Sequence, residues 1–247
     1  MTNKLHCNQP EPSKSDHPST KALRRPLVDE ELKMRIRNLG RNDKWNDVVA
    51  EAKIHGAEKV VSVLIHLPGE ENWAVVWNAT DAYVKIGMPA LNGLVKALKD
   101  KNWKTRLWAA SALGSIAEKV PDFDCSIAVP ALIELLMDKN PNFSDEAVEA
   151  LGKIASVYPA LVETVVPCLI ETLMDEDERV RRKAFGAIIR ISENGTHGTT
   201  ETIVRAIQHM LNSSEFLREA ERNSTKYVQT IELLVEIIDR LQMKEAA

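Results

Sequence analysis

Apolar residues recur along most of this chain at a helical period, and the helical pattern itself repeats. From Ala90 the sequence reads ALNGLVKALKDKNWKTRLWAASALGSIA, from Ala128 AVPALIELLMDKNPNFSDEAVEALGKIA, and from Val165 VVPCLIETLMDEDERVRRKAFGAIIRIS. Leu94, Leu132 and Leu169 correspond, 38 and 37 residues apart, as do Leu98, Leu136 and Leu173. After a polar turn that opens with Asp100, Asp138 and Asp175, the register resumes in Ala109, Ala147 and Ala184, then Ala112, Ala150 and Ala187, then Ile116, Ile154 and Ile191. Apolar residues fall at i, i+1 and i+4 before the Asp and at i, i+3, i+4 and i+7 after it. That spacing predicts two amphipathic helices joined by a short turn in every unit. A unit of this size cannot bury its apolar face alone, so stacked units must share one core.

The run from Val60 to Leu67 is β-prone in isolation, yet it aligns with a first helix and is predicted helical. It opens an earlier unit, roughly 60–87, in which Trp73 stands opposite Trp103 and Ala79 opposite Ala109. A further unit spans about 32–56. Pro130 and Pro167 are expected at first-helix starts, where a missing N–H costs nothing, and Pro141 at a turn. Toward the end, Ile207 and Leu211 keep the first-helix pattern, but Arg218 and Arg222 fall where core residues belong. The amphipathic stretch from Tyr227 to Leu241 is therefore expected to cap the array with one solvated face.

Residues 1–26 are polar and proline-containing, which predicts a mobile tail, and residues 27–247 form the helical array. The 247 residues are 44% hydrophobic and 28% charged, enough for a substantial core. The formal charge of −4 disfavours nucleic acid as a partner, because phosphate binding relies on clustered Lys and Arg. Cys7, Cys125 and Cys168 are odd in number and widely spaced, which fits reduced thiols in a cytoplasmic protein. There is no apolar leader and no stretch of ~18 apolar residues, so neither secretion nor a membrane partner is expected.

The string Asp175-Glu176-Asp177-Glu178-Arg179-Val180-Arg181, followed by an alanine-rich helix, resembles the HEAT-like repeat, with its Asp at the turn and its Val-Arg opening the second helix. Asp100 and Arg106 are similar in the preceding pattern, whereas the unit between keeps Asp138 but has Ser144 in place of the Arg. An Asp-to-Arg ladder running along the stack would be interrupted there. The resemblance covers about residues 30–211. It implies an all-α fold, an α-α superhelix of about five to six helix pairs, with second helices lining the concave face. Such surfaces commonly hold proteins or peptides, although fold alone does not establish that role.

Some HEAT-like proteins are enzymes, and each such chemistry needs particular residues. The deoxyhypusine hydroxylase-like proteins hold iron through His-Glu pairs, and this chain has no His-Glu dipeptide. Alkylpurine glycosylase-like proteins pair a basic groove with aromatic residues and a carboxylate, which the overall charge opposes. Bilin lyase-like subunits handle tetrapyrroles, but no lyase motif is visible. No phosphate loop or nucleophile elbow occurs. The expectation is thus a scaffold or adaptor, with no cofactor, metal or catalytic residue, that binds a protein or peptide. The alternative is a HEAT-like enzyme or a chromophore-handling subunit.

Candidate contact residues follow from the second-helix positions. All five tryptophans lie in the first half of the chain, and Trp73, Trp77, Trp103 and Trp108, with Leu107 opposite Trp77, either fill gaps between helices or form an aromatic patch. Further on come Glu146 and Glu149, then Arg182, Lys183 and Arg190, so a groove would run from aromatic to acidic to basic. Those charges either meet a partner or pair with one another between neighbouring helices.

Overall fold

A computed structural model describes residues 29–66, 74–136, 141–195, 197–214, 216–218 and 224–245. The tail expected over 1–26 lies outside the described residues. Among the described residues the regular structure is entirely helical. The helices pair as the repeat predicts: α1 (Asp29–Arg41) with α2 (Trp45–His55), α3 (Ala57–His66) with α4 (Ala74–Ile86), and α5 (Met88–Ala97) with α6 (Trp103–Lys119). Then follow α7 (Val129–Leu136) with α8 (Pro141–Val157), α9 (Val162–Thr172) with α10 (Glu178–Asn194), and α11 (His197–Leu211) with α12 (Ser224–Glu245). The second helices stack on one another in one layer from α2 to α12, and in the other layer α1, α3 and α5 pack in series, as do α7, α9 and α11. The β-prone run around Val60 is helix α3, because Val60, Val61 and Leu64 are buried between the layers.

The aligned leucines and alanines form the core. Leu94, Leu132 and Leu169 are fully buried, as are Ala109, Ala147 and Ala184. Second helices approach especially closely at two in-register glycines. A Cβ on Gly114 would stand 3.0 Å from the Ala150 Cα, and one on Gly152 only 2.6 Å from the Ala187 Cβ. The corresponding residue of α10 is Ile189, which is buried. Helix α12 is instead tied by polar bonds. Thr230 donates to the Leu173 carbonyl at 3.0 Å, and Lys226 to Glu176 at 2.6 Å. Lys244 donates to the Gly195 carbonyl at 2.7 Å and to the Ser192 carbonyl, satisfying the open end of α10.

The turns are built alike. Asp100 Oδ1 accepts from the Asn102 N–H at 2.7 Å and Asp175 Oδ1 from the Asp177 N–H at 2.8 Å. Asn102 and Asp177 then cap α6 and α10 through the N–H groups of Lys104 and Arg179. Arg106 donates to the Asp100 carbonyl at 2.8 Å, and Arg181 to the Asp175 carbonyl at 2.9 Å. These arginines therefore bind carbonyls of their own turn, where the expected ladder ran between repeats. Ser144 does the same with a shorter arm, donating to the Leu136 carbonyl at 3.3 Å.

Two placements differ from expectation. Pro167 lies inside α9, because Val162, Val165 and Val166 are buried and draw an extra turn of helix ahead of it. Helix α12 occupies the capping position, but its outer face is not uniformly polar: Val228, Val235 and Met243 are exposed.

Candidate interaction surface

The repeat places three rows of residues in register across α6, α8 and α10. They read Trp108, Glu146 and Lys183; Ser111, Glu149 and Gly186; Ser115, Lys153 and Arg190. Ion pairs cross between them. Lys183 bonds Glu149, Lys153 stands 3.2 Å from Glu149 and 3.4 Å from Glu118, and Arg190 reaches Glu118 at 3.1 Å. The last contact spans an entire intervening helix, from α10 over α8 to α6. Such a reach requires the second-helix layer to curl inward, which the small residues at Gly114, Ala150, Gly152 and Ala187 permit. This layer is the inner, concave face.

The electrostatics divide the carboxylates. Burial works against ionisation of Glu149, yet the Lys183 hydrogen bond and the nearby Lys153 outweigh it and hold the carboxyl below its ordinary range. Lys183 is shifted upward: burial opposes its charge, but Glu149 and the neighbouring acids prevail. Glu146 behaves oppositely. Burial first, and the negative charge of Glu149 second, push its carboxyl up. It is half-buried and makes no hydrogen bond or ion pair among the described residues. Burial also raises Asp145, although Arg179 stands 3.2 Å away.

The predicted contact residues do not all meet here. The side chains of Trp73 and Trp77 lie outside the described residues. Trp103 is 47% exposed at the start of α6, with the Lys104 ammonium 5.8 Å from its ring centroid. Leu107 and Trp108 are 9% and 8% exposed and belong to the hydrophobic core, so they offer no free aromatic surface; the reason is that α6 is enclosed on both sides by neighbouring second helices. Arg181, although next to the basic cluster, is buried on its turn carbonyls. Arg182 pairs with Glu178 at 2.8 Å on the rim of an open recess of about 510 Å³, which Asp177, Arg179 and Lys183 also line. Glu149, Lys183 and Arg190 are engaged in the cross-helix ladder, the second of the two readings of those charges.

Sequence reasoning missed Glu118 and Lys153, the hinge points of that ladder, and the two glycines. The signal was present: Lys153 and Arg190 share one repeat position, and Gly114 and Gly152 another. Among the described residues no group of three or more His, Cys, Asp or Glu side chains is arranged to hold a metal ion, and no helix is long and apolar enough to cross a membrane.

Stacked helix pairs, turn-binding arginines and a glycine-lined inner layer define a HEAT-like repeat solenoid. In keeping with that class, residues 91–188 match the family model for HEAT repeats. No curated protein sequence matches the chain. Similar solved structures include a designed armadillo repeat protein in complex with the peptide (KR)4, 21% identical, covering 85% of this chain and 95% of that one with a TM-score of 0.53. Cex1p is 12% identical, covering 88% of this chain and 45% of its own, with a TM-score of 0.52. A Kap121p mutant is 14% identical, covering 86% of this chain and 26% of its own, with a TM-score of 0.54. At these identities the likeness is one of fold.

Proposed function

We propose that this protein is a non-catalytic cytoplasmic scaffold that grips a protein or peptide along the inner face of α6, α8 and α10. The observation that carries the reading is Glu146, a half-buried carboxyl on that face with no hydrogen bond or ion pair among the described residues, set among side chains that the ion-pair ladder holds in place. An unsatisfied, partly desolvated acceptor gains more from an incoming N–H than a fully hydrated one does. Residues already fixed by the ladder lose little freedom when a partner lands. Gly186 in the middle row has open space where a side chain would be, leaving room for a main chain to approach. A designed armadillo repeat protein of similar fold forms a complex with the peptide (KR)4, which supports the reading.

The test is capture from the native cell with the tagged full chain, beside the double variant Glu146→Lys with Arg182→Glu. Both positions are partly or largely exposed, so the variant should fold. Partners bound on the inner face should fall by about tenfold or more in the variant. Equal recovery from both proteins, or a co-purifying pigment with no protein partner, would refute the reading.

A further inference from the structure

The exposed side of α12 carries an apolar stripe that the fold does not use. Val228 and Val235 are 51% and 50% exposed, with Ile231 and Ile238 half-buried beside them. Their spacing of three, four and three residues keeps Val228, Ile231, Val235 and Ile238 along one side of the helix, next to the face that buries Thr230, Leu234, Ile237 and Leu241. Along one edge of the stripe run Glu232 and Asp239, one heptad apart and both exposed. Neither forms an ion pair among the described residues, unlike Glu236, which Arg240 holds at 2.7 Å.

We infer that this stripe is a second docking surface, distinct from the inner face, and that its occupant is an amphipathic helix of another protein with an aliphatic seam flanked by Lys or Arg. The aliphatic side chains supply the contact, and the two unpaired carboxylates fix the sign of the partner's flank. Charge complementarity excludes a second copy of this chain. Two α12 helices packed antiparallel about Val235 would bring Glu232 of one against Asp239 of the other, like charges directly opposed. An anionic membrane surface is opposed by the same two acids.

The test uses two synthetic helical peptides with the same leucine seam, one flanked by Lys and the other by Glu, titrated onto the full chain by fluorescence anisotropy. The Lys-flanked peptide should bind about tenfold or more tightly than the Glu-flanked one. Val235→Glu should abolish that binding, and Glu232→Lys with Asp239→Lys should invert the preference, while all variants keep their circular dichroism and melting temperature. Binding should survive Glu146→Lys with Arg182→Glu, which separates this surface from the inner face. Equal affinity for both peptides, binding indifferent to Val235→Glu, or loss in the inner-face variant would overturn the proposal. So would a dimer of the full chain, seen by light scattering and dissolved by Val235→Glu.

Discussion

Glu146 and Glu149 sit one helical turn apart on the same helix, yet folding shifts them in opposite directions. Folding disfavours the Glu146 carboxylate, so its destabilising contribution is present above its raised pKa and disappears once pH falls below the ordinary carboxylate value of about 4.3. Folding favours the Glu149 carboxylate, so its contribution stabilises above that ordinary value and is lost as pH falls through the lowered one. At about pH 7, Glu146→Gln should therefore melt above the wild type and Glu149→Gln below it, and both gaps should close on acidification. Thermal unfolding across a pH series checks both signs at once. Trp108 gives a second residue-scale expectation. As a core side chain, it should cost about 3 to 5 kcal/mol when changed to Ala, comparable to the 2 to 5 kcal/mol expected roughly for Leu132→Ala. A melting loss of only a degree or two would show the indole to be peripheral. From sequence, periodicity located both glutamates on a second helix but did not reveal which charge had a partner, since that depends on α6 and α10 lying on either side. It likewise left Trp108 open between core and surface.

At the scale of elements, the helix pairs were legible because leucine and alanine positions repeat in register over three units, which no single-helix propensity could have established. Even the β-prone Val60 segment followed the repeat. The start of α9 was misplaced because proline in a first turn and proline deeper in a helix look the same in sequence; buried valines ahead of Pro167 decide the matter. The inner-layer glycines are the elements' closest contact and should be intolerant of size. Gly152→Leu places atoms where even a Cβ would lie 2.6 Å from Ala187, so α8 and α10 must part at a cost of about 1 to 3 kcal/mol or more. Gly186→Ala, on the same layer but facing open space, should by contrast be neutral or slightly stabilising through helix propensity. Denaturant melts of the two variants make the comparison, and equal losses would contradict the packing described for the inner layer.

Across the whole molecule, the ladder from Glu118 through Lys153, Glu149 and Lys183, with Arg190 closing over α8, ties three consecutive repeats into one curved surface. Each pair is partly exposed and individually worth little, about 0 to 1 kcal/mol, and salt should weaken all of them together. Glu118→Gln removes two contacts and should lower the melting temperature modestly at low ionic strength, with the difference fading near ~1 M salt. The architecture was readable from the repeat and from its resemblance to HEAT-like units. The ladder was not, because Glu118 and Arg190 are far apart in sequence and meet only through curvature.

Hydrogen exchange of the full chain, alone and saturated with a partner captured through the inner face, tests the central claim most directly. Slower exchange concentrated in α8 and α10, with α9 and α11 unchanged, is the result expected of a scaffold that binds along its inner layer. Protection confined to α9 and α11 would place the partner on the outer layer and contradict the account.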